Sequence, residues 1–324
     1  MSISTPHPDR KSLTPSPCPT PTMAYRRTAR RYPARRRPTR KSSYKSKSRR
    51  SYTAKRRSAP RRMSTKRILN VSSRKKSDTM QNYTNVTPGG GGTTFLADNS
   101  ILQGGQLYSF LWCATARNTD DGAGTIGTIF DKSTRTASTC YMRGLKEKIQ
   151  IQTNSGMAWQ WRRICFTMKG NSLDAIQTPP AKLYAYTTNG YMRVTNDWLA
   201  DDKTKQALFG PLFRGSEGVD WKNFFSARTD NSRVTIKYDK TCIMQSGNQN
   251  GILRNYNRWH PMNENLLYDD DEDGGEESAV NMSSKGKYGM GDYYVLDIIG
   301  SGTGGTTSDR LSWAPTSTLY WHEK

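Results

Sequence analysis

Acidic residues are nearly missing from the first 76 positions of this chain, where Asp9 stands alone against 25 lysines and arginines. Histidine is scarce throughout, with only His7, His260 and His322. No HxH or HExxH arrangement occurs, which argues against a metal-dependent nuclease or a rolling-circle replication initiator. There is no GxxxxGK[ST] loop, so the phosphate cradle of a nucleotide-driven motor or helicase is lacking. The five cysteines, Cys18, Cys113, Cys140, Cys165 and Cys242, are far apart and form no CxxC pair. That pattern fits reduced thiols of the cytosol or nucleus rather than a zinc site or a disulfide framework. No apolar run approaches the ~18 residues of a membrane span, and none at the start could act as a signal peptide. Two glycine-rich stretches, at Gly122, Gly124 and Gly127 and at Gly300, Gly302 and Gly305, match the spacing of a dinucleotide-binding turn. Neither is followed by a helical pattern, so both read as loops. No enzyme and no cofactor are expected.

The charge that is present is concentrated. Residues 1–76 carry a net +24, whereas residues 77–324 hold 25 basic and 26 acidic residues. Residues 1–22 form a Pro-, Ser- and Thr-rich extension expected to be disordered. Met23 opens the run MAYRR, and translation from it would make that extension optional. Residues 23–76 form an arm whose like charges repel one another. It has few large aliphatics, and Pro33, Pro38 and Pro60 interrupt any helix. The arm is expected to stay disordered until it meets a polyanion. Its phosphate-binding candidates are Arg26, Arg27, Arg30, Arg31, Arg35, Arg36, Arg37, Arg40, Lys41, Lys45, Lys47, Arg49, Arg50, Lys55, Arg56, Arg57, Arg61, Arg62, Lys66, Arg67, Arg74, Lys75 and Lys76. Each contact of this kind releases counterions and reads no sequence. Tyr25, Tyr32, Tyr44 and Tyr52 can stack on unpaired bases, which favours a single strand. The cluster Lys55, Arg56, Arg57, Arg61, Arg62, Lys66 and Arg67 also has the make-up of a nuclear-import signal, implying an import receptor as partner.

Beyond the arm, aromatic and β-branched residues alternate between clusters of turn formers. Strands are expected over Gln106–Arg117, Tyr141–Thr153, Ala158–Lys169, Ala181–Thr187, Arg233–Gln245, Asp292–Ile299 and Leu311–Trp321. In Ala158–Lys169 the alternation changes parity near Arg162-Arg163, so either both faces are covered or a bulge lies there. Short helices are expected at Asn196–Phe209, with Asn196 as N-cap, and at Glu217–Phe225. Gly251–Gly291 reads as a long connection. Many short strands with long insertions suggest one all-β domain over residues 77–324, a double-sheet sandwich or jelly roll. Arg143, Lys146, Lys148, Arg162 and Arg163 are further candidates for an inner basic patch, with packing in the sheet or at a subunit contact as the alternative.

The one acidic concentration is Asp269–Glu277. Asp269, Asp271, Asp273 and Gly274 match the start of a calcium loop, but Val280 stands where the bidentate Glu belongs. A solvated loop is the plainer reading, and an outward loop binding a cation or host partner the alternative.

Three stretches carry a resemblance: Arg61–Asn85, Phe110–Arg117 and, above all, Tyr141–Phe166 (YMRGLKEKIQIQTNSGMAWQWRRICF). They are similar to the capsid proteins of genomoviruses, small circular single-stranded DNA viruses, and the likeness runs from Met23 to the C-terminus. The resemblance implies a single eight-stranded viral jelly roll, distantly like geminivirus coat proteins, with sixty copies in a T=1 icosahedral shell. It implies a virion protein that passes through the host nucleus, with the DNA genome and its own copies as partners and no membrane. Sixty such arms would bring roughly 1,400 positive charges, matching a single strand of low thousands of nucleotides. A flexible arm of this length reaches ~40 Å, enough to enter a packed genome. The rival reading is a monomeric nucleic-acid-binding or shuttle protein, which would share the arm but close no shell.

Overall fold

Period-two alternation dominates the body, and the chain folds accordingly into strands. The structure, a computed structural model, describes residues 63–324 except 89, 121–123, 171–172, 174–179 and 200–201. A short helix, α1 (Thr65–Ser72), leads into β1 (Arg74–Met80), β2 (Asn82–Thr87), β3 (Gly90–Leu96), β4 (Ser100–Gln103) and β5 (Leu107–Cys113). The long pair β6 (Thr139–Thr153) and β7 (Trp159–Met168) follows, then β8 (Ala185–Thr187), β9 (Gly190–Thr195) and helix α2 (Asp202–Leu212). The chain closes with β10 (Thr235–Met244), β11 (Leu253–Leu267), β12 (Asp271–Asp273), β13 (Glu276–Ser278), β14 (Asp292–Ser301) and β15 (Arg310–Glu323).

Two antiparallel sheets build an all-β sandwich. The first has the order β1-β15-β6-β11, with β4 beside β1 on the same edge of β15. The second has the order β10-β7-β14-β5. A smaller sheet, β3-β2-β9-β8, includes a parallel pairing of β2 with β9. Along the chain β4, β6, β11 and β15 enter the first sheet, while β5, β7, β10 and β14 enter the second. The chain therefore crosses the sandwich repeatedly instead of finishing one sheet before starting the other.

Burial explains why the two sheets have different sequences. Leu145, Ile149, Ile151, Leu319 and Trp321 of the first sheet meet Trp112, Trp161, Cys165 and Val295 of the second in the space between them. The far side of the second sheet is also covered. Leu183, Trp198, Leu208, Phe209, Phe213 and Phe224 pack there on Leu111, Ile164, Phe166, Leu296 and Ile298. Strands covered on both faces need apolar residues at every position, which β14 (DYYVLDIIGS) nearly supplies. The parity change in β7 has the same cause. Its register with β14 is unbroken from Trp159 to Met168, and the bulge lies on β10, between Ile236 and Tyr238. Among the described residues the first sheet has no such cover, and β6 alternates outward polar with inward apolar residues along most of its length.

Several expectations need correction. Gly251–Gly291 is no connection, because it holds the 15-residue strand β11. Asparagines and Pro261 hide that strand, and both are tolerated where one face is wet and the strand lies at a sheet edge. Asn196 caps no helix, since α2 begins six residues later, and Glu217–Phe225 forms turns. Only Ala185–Thr187 of Ala181–Thr187 is strand. The expected disordered arm also runs too far. Ser64 caps α1 by accepting from the Arg67 amide, and Arg74 to Lys76 lie in β1, paired with β15. Cys113, Cys140, Cys165 and Cys242 are free thiols on strands, and burial pushes the Cys165 thiol up to about 12.

Trp313 lies edge-on to Trp161 at 5.1 Å between centroids, both fully buried between the sheets. Trp313→Ala should cost about 3–5 kcal/mol in chemical denaturation. A loss below about 1 kcal/mol, the level of an ordinary surface change, would contradict this account of the core.

Candidate nucleic-acid interface

Residues opposite one another in a sheet share a face, so register alone sorts the side chains of the first sheet. Lys75, His322 and Tyr141 fall in one outward row across β1, β15 and β6. Ser77, Tyr320, Gly144 and Pro261 form the next, and Thr79, Thr318, Lys146 and Trp259 the one after. Thr316, Lys148 and Asn257 continue the series. Arg143, beside the irregularity at Gly144, is exposed on β6. This open face carries Lys75, Arg143, Lys146 and Lys148 and no carboxylate.

The absence of acid is a matter of orientation, since these strands contain four acidic residues. Asp78 pairs with Arg117 at 2.7 Å, Glu323 with Lys76 at 3.0 Å, and Glu264, at the rim, with Lys237 at 2.8 Å. Glu147 points into the core, where it meets Arg163. Each acid of the first sheet is thus matched by a cation away from the open face, while the lysines of that face have no carboxylate within ion-pair distance among the described residues.

The core partners of Glu147 form a closed set. Arg163 of β7 donates to Asp297 Oδ1 and Oδ2 at 2.7 and 2.8 Å and also reaches Glu147. Arg193 of β9 donates to Asp297 Oδ2 at 2.8 Å, Trp161 Nε1 donates to Asp297 Oδ1 at 2.7 Å, and Ser317 donates to Glu147 Oε1 at 2.8 Å. Two guanidiniums and two carboxylates cancel, so no net charge is buried. Burial would raise the Asp297 carboxyl, but Arg163 and Arg193 outweigh it and hold it below the usual range. His260, 3.5 Å from Arg163, is pushed down to about 4 by burial and by that guanidinium, so it stays neutral at pH 7.

These positions sort the candidate site residues. Arg26 to Arg62 and the four arm tyrosines lie outside the described residues. Lys66 and Arg67 lie on α1, where Arg67 is exposed, and Arg74 and Lys75 are exposed on β1. Lys76 is a correction: its amine is buried, donating to Thr134 O at 2.8 Å and Thr136 Oγ1 at 3.0 Å beside Glu323, so it cannot meet a phosphate. Arg162 and Arg163 are corrected likewise, Arg162 donating to Asp239 at 2.7 Å and to Phe224 O at 2.7 Å. The other members of the proposed patch, Arg143, Lys146 and Lys148, are exposed together. Trp259 and Tyr320 on the same face were not singled out from sequence, Trp259 because it lies on β11, which reads as a connection.

The acidic run folds as the hairpin β12–β13 around Gly274, whose φ of 65° suits the turn. Asp269, Asp271 and Asp273 are exposed, whereas Asp270 turns inward to Arg135 at 2.9 Å. Among the described residues no three His, Cys, Asp or Glu side chains gather to hold a metal ion. Nor is any described helix long and apolar enough to cross a membrane.

Between pH 6.5 and about 4 the unfolded chain binds a proton at His260 that the folded chain does not. Stability therefore falls as pH drops through that window, by roughly 3 kcal/mol at most. Urea unfolding at both ends of the window should show this loss, and His260→Gln should reduce it; an unchanged pH dependence would refute the assignment. On the open face, replacing Lys146 and Lys148 with Gln should flatten the slope of log affinity against log salt by up to ~1.4 for a single strand. Fluorescence anisotropy with oligo-dT measures that slope, and an unaltered value would remove both lysines from the interface.

No protein-family model matches the chain, and no curated protein matches it.

Proposed function

We propose that the chain is a structural capsid protein of a small circular single-stranded DNA virus, of the genomovirus kind, and not an enzyme. The observation that carries this reading is the segregation of charge. In sequence an arginine-rich arm precedes α1 and β1, and among the described residues the open face of the sheet that β1 edges is cationic and free of acid. Each suits a polyanion, with affinity drawn from phosphate contacts and little sequence preference. A body that is otherwise nearly neutral can pack against copies of itself without strong repulsion.

The strand order supports reading the sandwich as a jelly roll. A five-stranded and a four-stranded antiparallel layer, between which the chain crosses repeatedly, suit that architecture, and capsid proteins use it widely. On this reading the first sheet faces the genome. Contacts between copies fall on other surfaces, where the loop bearing Ile126, Ile129 and Phe130 exposes large apolar side chains. Before assembly, the basic cluster from Lys55 to Arg67 directs import into the host nucleus through an import receptor.

Sedimentation of the expressed full chain from a nuclease-treated lysate, with electron microscopy of the fast fraction, tests this proposal. Closed uniform particles holding nuclease-protected single-stranded DNA are expected. Slow species whose nucleic acid is fully digested, across a range of salt and pH, would overturn the capsid reading in favour of a monomeric binding or shuttle protein.

A further inference from the structure

We infer that the open face of the first sheet contains a stacking subsite for one unpaired nucleobase, walled by Trp259 and Tyr320 over Gly144 and flanked by Arg143 and Lys75. The inference deepens the packaging function and rests on it for the identity of the strand. It assigns base contact to the folded body, beyond the phosphate contacts of the arm.

Exposure is the first observation. Trp259 is 48% exposed, the only tryptophan among the exposed large apolar side chains, whereas six others are buried. A large ring left in water on an otherwise polar sheet face calls for an explanation. The floor beneath it is the second. A Cβ at Gly144 would lie 2.5 Å from the His260 carbonyl oxygen, 2.8 Å from Trp259 Cζ2 and 2.9 Å from Cη2, so glycine is required by the neighbouring backbone and lets the indole lie across β6 as well. The φ of 152° at Gly144 adds a second reason for glycine. Tyr320 stands on the other side of Gly144, its ring 5.9 Å from that of Trp259 and inclined at 58°. The two rings are splayed rather than stacked, forming the walls of an open cleft of about 190 Å³.

The rim decides the occupant. Lys75, Arg143 and His322 line the same cleft. Arg143 donates to Asn263, and neither it nor Lys75 has a carboxylate partner among the described residues. The His322 imidazole is held below its usual range by burial first, and by the fields of Arg143 and Lys75 beside it. An apolar peptide closing over these cations would strip their water without replacing it. A flat ring carrying phosphates suits both parts at once, the base on the indole and its flanking phosphates on Arg143 and Lys75. A base held in a duplex has no free face to offer, so the subsite selects single strands.

Photocrosslinking of the full chain to oligo-dT carrying 5-iododeoxyuridine, with peptide mapping by mass spectrometry, tests the subsite. Adducts are expected on the peptides bearing Trp259 or Tyr320 with the single strand, and not with the same strand annealed to its complement. Trp259→Ala should remove them and weaken binding at high salt by about 5-fold or more, the effect of losing one stacked base. Trp259→Phe should keep both in large part. Adducts confined to Tyr25, Tyr32, Tyr44 and Tyr52 would overturn the subsite and leave packaging by the arm intact. Equal adduct yield on duplex would overturn it too. No retained DNA and no adduct anywhere would overturn both the subsite and the packaging function.

Discussion

Two guanidiniums and two carboxylates share the dry space between the sheets, and much of the sandwich is organised by that fact. Glu147 comes from the first sheet, Arg163 and Asp297 from the second, and Arg193 from the small sheet. A buried charge costs several kcal/mol unless it is paired, so the three sheets are tied to one relative register. Trp161 and Ser317 take up further lone pairs of the carboxylates, and a neutral His260 adds no unbalanced charge. Hydrophobic packing supplies most of the stability of such a core, while this network restricts which arrangement the apolar residues adopt.

The same rule sorts charge over the whole body. Arginines such as Arg117 and Arg135, between β5 and β6, and Arg162 and Arg163, on β7, are drawn inward by carboxylates and by aromatic faces. Arg135 lies 3.9 Å from the centroid of Tyr268, and Arg117 lies 5.0 Å from that of Tyr191. The acids consumed by these pairings are no longer available to neutralise the lysines of the open sheet. A body with almost no net charge of its own thereby acquires one electropositive face. Such a face suits the polyanion binding proposed above.

Much of this was legible in the residues, and the failures have physical causes. Strands with one dry face, such as β6 and β15, announce themselves by alternation, and the covered strand β14 by a nearly continuous apolar run. The edge strand β11 does not, because its wet face accepts asparagine and its position tolerates Pro261. Losing β11 concealed Trp259, and with it the aromatic part of the open face. Nor does a sequence distinguish a lysine that meets solvent from one that meets a carboxylate: Lys75 and Lys76 are neighbours, and only strand parity separates the phosphate candidate from the partner of Glu323. Arg163 was misplaced for the same reason, since its partners are 16 and 134 residues away.

The account stands on the claim that the acid-free face of the first sheet is the one that meets the genome. A cryo-electron microscopy reconstruction of particles assembled from the full chain tests it most directly. The account predicts that this sheet lines the interior, with nucleic-acid density against Lys146, Lys148 and Trp259. A shell in which that face looks outward to solvent, or is closed off between neighbouring copies, would contradict it.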